Sequence, residues 1–213
     1  MFLGVSALLG WLIGIDTAGV GGIVTAIAVP TIAAAVVAVL STQWLGNGPK
    51  VDLGLRWSWD DVAVGLITGL AGLLLTVPAA LVYAWVVGPE GMSTAVGDVF
   101  GGLRTSWPVA LLVTAVVVLV APVCEEILYR GLLWRAVSKH VSNQWVVYLL
   151  TTVLFAFAHF ELTRTPLLFV VALPLGLARL LTGRLTASII AHQINNFLPG
   201  VALALMLTGV VPG

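Results

Sequence analysis

The chain has 213 residues, of which 60% are hydrophobic and only 8% charged, against about 25% charged in a typical soluble domain. Nine Lys and Arg balance nine Asp and Glu, and the basic residues never cluster. This composition excludes an ordinary water-soluble globule, a nucleic-acid-binding surface and a polybasic patch lying on a membrane. The single cysteine, Cys124, excludes an internal disulfide, and no paired Cys/His spacing exists to hold a structural zinc.

A bilayer core about 30 Å thick asks for roughly 20 mainly apolar residues per helix, with every backbone polar group satisfied inside the segment. Apolar runs between charged or Gly/Pro-rich breaks predict helices over 2–15, 20–45, 62–87, 107–137, 144–160, 166–181 and 185–207. Strand alternation is absent, so the expected fold is all-α: one polytopic membrane bundle of about seven transmembrane helices, a single domain over 1–213. The first run lacks a positive leading region and a small-residue cleavage site, and reads as a retained helix rather than a secretory signal. Between the second and third runs, Lys50, Asp52, Arg56, Trp57, Trp59, Asp60 and Asp61 form a charged and aromatic mixture suited to the headgroup layer. The connection over 88–106, with Glu90, Asp98 and Arg104, is the longest on the opposite side. One set of connections holds Lys50, Arg56, Arg135, Lys139, Arg179 and Arg184, and the other only Arg104 and Arg164. That imbalance puts the first set, and the N-terminus, in the cytoplasm and the C-terminus outside, in the plasma membrane.

Most charges sit in connections, where they cost little. Glu125, Glu126 and Arg130 instead lie inside the fourth run, and His159 and His192 in or near the ends of the fifth and seventh. A charge at the centre of a span costs about 2.5–3.5 kcal/mol on insertion scales, so such groups usually face a bundle interior and mark function. Within Pro122-Val-Cys-Glu-Glu-Ile-Leu-Tyr-Arg130, Glu126 and Arg130 are four apart, in the favourable order for an ion pair on one helix face. Glu125 points about 100° away and has no local cation, which suits it to act as a general base. Tyr129, four residues on, is positioned to hydrogen-bond it, and Pro122 kinks the helix and frees a carbonyl. His192 and Asn196 are also four apart, so an imidazole and an amide can donate to one developing negative charge, as in an oxyanion hole. Asn195 points elsewhere and reads as a helix-packing residue. Two histidines and a carboxylate could alternatively ligate zinc with water in the open position, although no HExxH helix exists. Buried acids and imidazoles also serve as proton relays in transporters, and a non-catalytic membrane partner could use the same cavity.

The set Glu125-Glu126-x-x-x-Arg130, Phe155-x-x-x-His159 and His192-x-x-x-Asn196, in this order on three hydrophobic segments, resembles the CPBP family of intramembrane proteases, named for CAAX-protein and bacteriocin processing. The resemblance spans about 107–207. It implies that Glu125, with His159, activates a water that attacks a peptide carbonyl, and that His192 and Asn196 stabilise the oxyanion, with Glu126 and Arg130 in supporting positions. It further implies an endopeptidase without a required metal, zinc being the runner-up, acting on a membrane-associated or lipidated peptide or protein.

Overall fold

The computed structural model describes residues 19–88 and 99–211. Among these, seven helices of four residues or more appear and no strand. They are α1 (Val20–Leu45), the single turn α2 (Pro49–Asp52), α3 (Trp59–Val87), α4 (Trp107–Ser138), α5 (Gln144–Phe157), α6 (Thr165–Thr182) and α7 (Leu185–Leu207). The predicted helix over 2–15, with Glu90 and Asp98 of the long connection, lies outside the described residues. Five of the seven are long and apolar enough to cross a membrane: α1, α3, α4, α6 and α7. The chain is an integral membrane helical bundle.

Its surface is apolar and its interior carries the polar groups, the pattern that lipid imposes. Leu74, Leu81 and Trp85 of α3 face outward, while Asp61, Glu126, Arg130, Thr151, Thr152 and Ser188 are fully buried. Exposed tryptophans mark both rims. Trp44, Trp57, Trp59 and Trp145 ring one end, and Trp85 and Trp107 the other. The first rim also carries Lys50, Arg56, Arg135, Lys139 and Arg184, and is called here the basic end.

α6 is the central post. Its carbonyls at Ala172, Leu173 and Leu175 accept hydrogen bonds from Arg130 of α4 (3.3 Å), Tyr148 of α5 (3.2 Å) and Ser188 of α7 (2.7 Å). Satisfying polar side chains on neighbouring helix carbonyls is how a bundle in lipid gains cohesion where no hydrophobic effect operates between helices. α3 meets α7 through Gly65, Gly69 and Gly72. A Cβ at Gly65 would stand 2.7 Å from Ile190 Cβ, and one at Gly72 2.6 Å from Asn195 Nδ2. Only the missing side chains let these backbones approach so closely. Asn195 then reaches across to Gly69 O (3.4 Å) and accepts from Thr76 Oγ1 (3.4 Å), the packing role its position suggests.

α4 is continuous, but two of its stretches, Val116–Val120 and Ile127–Leu133, widen into π-type turns. Each displaces one backbone hydrogen bond and releases a carbonyl. In the first, Ala121 N–H bonds Val116 O and Pro122 has no N–H, so Val117 O loses both possible backbone donors. In the second, Trp134 N–H bonds the Tyr129 and Gly131 carbonyls and passes over Arg130 O. The orphans are taken by side chains of other helices, Asn196 Nδ2 at 3.2 Å from Val117 O and Arg179 Nε at 2.9 Å from Arg130 O.

Candidate active site

The segment between the two wide turns, Ala121–Glu126, presents both carboxylates to α7. Glu126 is fully buried, and its Oε1 accepts from Arg130 Nη1 at 3.0 Å and from His192 Nδ1 at 2.9 Å. Its Oε2 lies 2.5 Å from Ser188 Oγ, whose single hydroxyl proton it shares with Leu175 O. The ion pair expected from the four-residue spacing is therefore formed, and the carboxylate has a second function: it grips the imidazole of His192. Arg130, also fully buried, lies 4.3 Å above the centre of the Phe155 ring.

His192 stands between the two glutamates. Its Nδ1 faces Glu126 and its Nε2 faces Glu125 Oε2 at 3.8 Å, within ion-pair reach but longer than a hydrogen bond. A carboxylate only accepts, so the Nδ1 proton is assigned to the Glu126 contact, and His192 can donate from Nε2 only as an imidazolium. Glu125 retains partial exposure, its side chain 22% accessible, whereas Glu126 has none. The acid without a cation on its own helix is thus the one open to a reactant.

His159 follows the end of α5. Its Nδ1 lies 2.8 Å from Phe155 O, an acceptor, which assigns the proton to Nδ1 and leaves the Nε2 lone pair free. Phe155 joins the parts: its ring centroid is 4.8 Å from that of His159, 5.8 Å from His192 and 5.1 Å from Tyr129. Tyr129 packs edge-on against Phe155 rather than hydrogen-bonding Glu125. The predicted helix over 144–160 would carry His159 toward the far rim, away from His192. α5 instead has 14 residues and spans roughly 21 Å, so it stops short of the far rim. His159, two residues past that end, meets the Phe155 ring that also packs against His192. An Arg164–Glu161 ion pair bounds the turn that follows.

Asn196 is one helical turn beyond His192, and one of its amide hydrogens is committed to Val117 O. The other remains for a ligand. Sequence reasoning passed over Ser188, although Ser188, His192 and Asn196 recur at intervals of four along one face of α7. It also assigned Phe155 no role beyond its motif. Among the described residues no three His, Cys, Asp or Glu side chains are grouped as a metal-ligand set.

These residues fall inside one recognised unit. One family model matches residues 106–198. The matching family model is described as type II CAAX prenyl endopeptidase Rce1-like, and it covers a little under half of the chain, from the start of α4 into α7. The match is consistent with a CPBP family protease and supports intramembrane protease activity. No curated protein and no solved structure matches the chain. The matched segment contains all seven of the motif residues, whereas α1 and α3 lie outside it and contribute packing.

Proposed function

We propose that the protein is an intramembrane endopeptidase that hydrolyses a peptide bond of a membrane-associated or lipidated protein with water as nucleophile. The observation that carries this reading is the approach of Glu125 Oε2 to within 3.8 Å of His192 Nε2, while buried Glu126 holds the other edge of the same imidazole. Glu125, aided by the free Nε2 of His159, takes a proton from water as its oxygen attacks the carbonyl carbon. The carbonyl oxygen becomes an oxyanion and accepts hydrogen bonds from His192 Nε2–H and the free Asn196 amide hydrogen. As the tetrahedral centre collapses the C–N bond breaks, and the proton held by Glu125 passes to the departing amine. The new carboxyl group keeps the water oxygen. No covalent acyl-enzyme is formed, so serine- and cysteine-directed reagents should not inhibit. No step uses a metal.

The excess of Lys and Arg at the basic end orients that end toward the cytoplasm and the C-terminus outward, in the plasma membrane. The family description supports trying a prenylated C-terminal peptide as the first substrate, beside the same peptide without its lipid. With purified protein, Glu125→Gln, His159→Ala and His192→Ala should each abolish cleavage while the unfolding transition is retained. Cleavage by Glu125→Gln at the wild-type rate would sink the assignment.

A further inference from the structure

Four polar side chains surround Phe155, and one of them is unpaired. The rings of His159, His192 and Tyr129 lie 4.8, 5.8 and 5.1 Å from that of Phe155, and the Arg130 guanidinium lies 4.3 Å above it. Arg130 donates from Nη1 to Glu126 and from Nη2 to Ala172 O, while its Nε is buried. His159 donates to Phe155 O, and His192 to Glu126. The Tyr129 hydroxyl differs from all of these. It has no hydrogen-bond partner among the described residues, yet it is not sealed in, the residue being half-buried.

Tyr129 is four residues beyond Glu125 on α4, one turn nearer the basic end and roughly 5–6 Å along the axis. Glu125 and Arg130 are the charges that act on its hydroxyl. A peptide is extended where it is cleaved, so the carbonyls flanking the scissile bond have no internal partner, and at membrane depth they are costly until a donor meets them. Successive residues of an extended chain rise about 3.3 Å. A substrate laid along α4 is therefore level with Tyr129 one or two residues from the bond presented to Glu125. A phenol O–H is a donor suited to a carbonyl, and its position at the end of a rigid ring held against Phe155 fixes where that donor stands.

We infer that Tyr129 positions the substrate, its hydroxyl donating to a backbone carbonyl one or two residues from the scissile bond on the side of the basic end. This rests on the endopeptidase reading of the same site. Tyr129→Phe keeps the ring against Phe155 and removes only the donor. In the purified full chain, with the prenylated peptide as substrate, it should raise KM about fivefold while kcat, its pH profile and the unfolding midpoint stay in place. Sulfur in place of a carbonyl oxygen is a weaker acceptor. Thioamide peptides carrying it at the two residues on either side of the scissile bond in turn should include one that reproduces most of that rise with the wild type and adds nothing with Tyr129→Phe. An unchanged KM in Tyr129→Phe overturns the inference, as does a loss that simply adds for every thioamide peptide. A fall in kcat with a displaced pH profile would place the hydroxyl on Glu125 instead and also overturn it. If the wild type cleaves no peptide, the endopeptidase reading fails separately. Titrating the same peptide into Glu125→Gln, with and without Tyr129→Phe, then decides for Tyr129: weaker binding in the double variant supports its hold on the peptide, and equal or absent binding overturns it.

Discussion

Glu126 receives three donors on two oxygens, and each comes from a residue that does something else as well. Arg130 covers the Phe155 ring, Ser188 reaches Leu175 O, and His192 turns its other nitrogen to Glu125. Removing Arg130 alone leaves a buried carboxylate without its cation, for which the cost is about 3–5 kcal/mol. Arg130→Met should therefore lower stability by about that amount in a detergent unfolding titration, and adding Glu126→Gln should recover most of it. Activity should stay low in both variants, because neither restores the charged grip on His192. Ser188→Ala gives a milder test. It loses a hydrogen bond to a charged group, worth about 1.5–3 kcal/mol, and should depress kcat more than KM if the hydroxyl positions Glu126 behind His192. The Glu126–Arg130 pair was legible because a spacing of four fixes a common helix face. Ser188 carried the same spacing from His192, but Ser and Thr are frequent in membrane helices and usually bond their own backbone, as Thr151 does to Val147 O. The spacing alone could not separate the two uses.

At the scale of the helix, the most consequential feature is one that hydropathy cannot register. The wide turns of α4 leave the apolar pattern intact while shifting which carbonyls are free, so composition predicts the length of α4 but not its partners. Pro122 was the visible signal, since a missing N–H must orphan a carbonyl. That Asn196 would take Val117 O depended on the turn before the proline. Two demands therefore meet on Asn196, and they can be pulled apart. Asn196→Ala should abolish cleavage and cost about 1–3 kcal/mol by leaving Val117 O unsatisfied. Pro122→Ala in the same chain restores an N–H five residues beyond that carbonyl, and should return part of the lost stability without returning activity. Recovery of cleavage in the double variant would show that Asn196 only satisfies the turn. The glycine stripe of α3 makes a similar point. Gly65, Gly69 and Gly72 set how near α3 comes to the helix bearing His192, and Gly69→Leu would force a side chain onto Ile194 and Ala191. Overpacking of this kind costs about 1–3 kcal/mol, and here it should also lower kcat by displacing α7.

The whole molecule follows from its solvent. Lipid demands closed backbone hydrogen bonding and an apolar surface, so the long apolar runs specified the bundle and its rims directly. The depth at which the parts meet was less accessible, because hydropathy does not fix how neighbouring helices are offset, and the last residues of α5 are as apolar as those of a helix that continues past Phe157. The basic end is secured by polar contacts outside the spans. Asp52 accepts from Asn47 N at 2.6 Å and Nδ2 at 3.3 Å, and meets Arg135 Nε at 3.4 Å, tying the turn after α1 to the end of α4. The hydrogen bond from the Asn47 backbone, with smaller help from its side chain and from Arg135 and Lys139, outweighs desolvation and lowers the Asp52 carboxyl below its ordinary value of 3.8. A group whose folded value is depressed gives stability that is complete above the unfolded value and disappears as pH falls through the folded one. The stabilisation from this contact should therefore be constant from neutral pH down to about 5 and be lost below about 4. Comparing unfolding midpoints of the wild type and Asp52→Asn across that range checks the sign. The variant should be the less stable at pH 7, and the difference should close only in strong acid. A gap that widened with acidity would mean that Asp52 is held protonated in the fold, and that the basic end is organised in some other way.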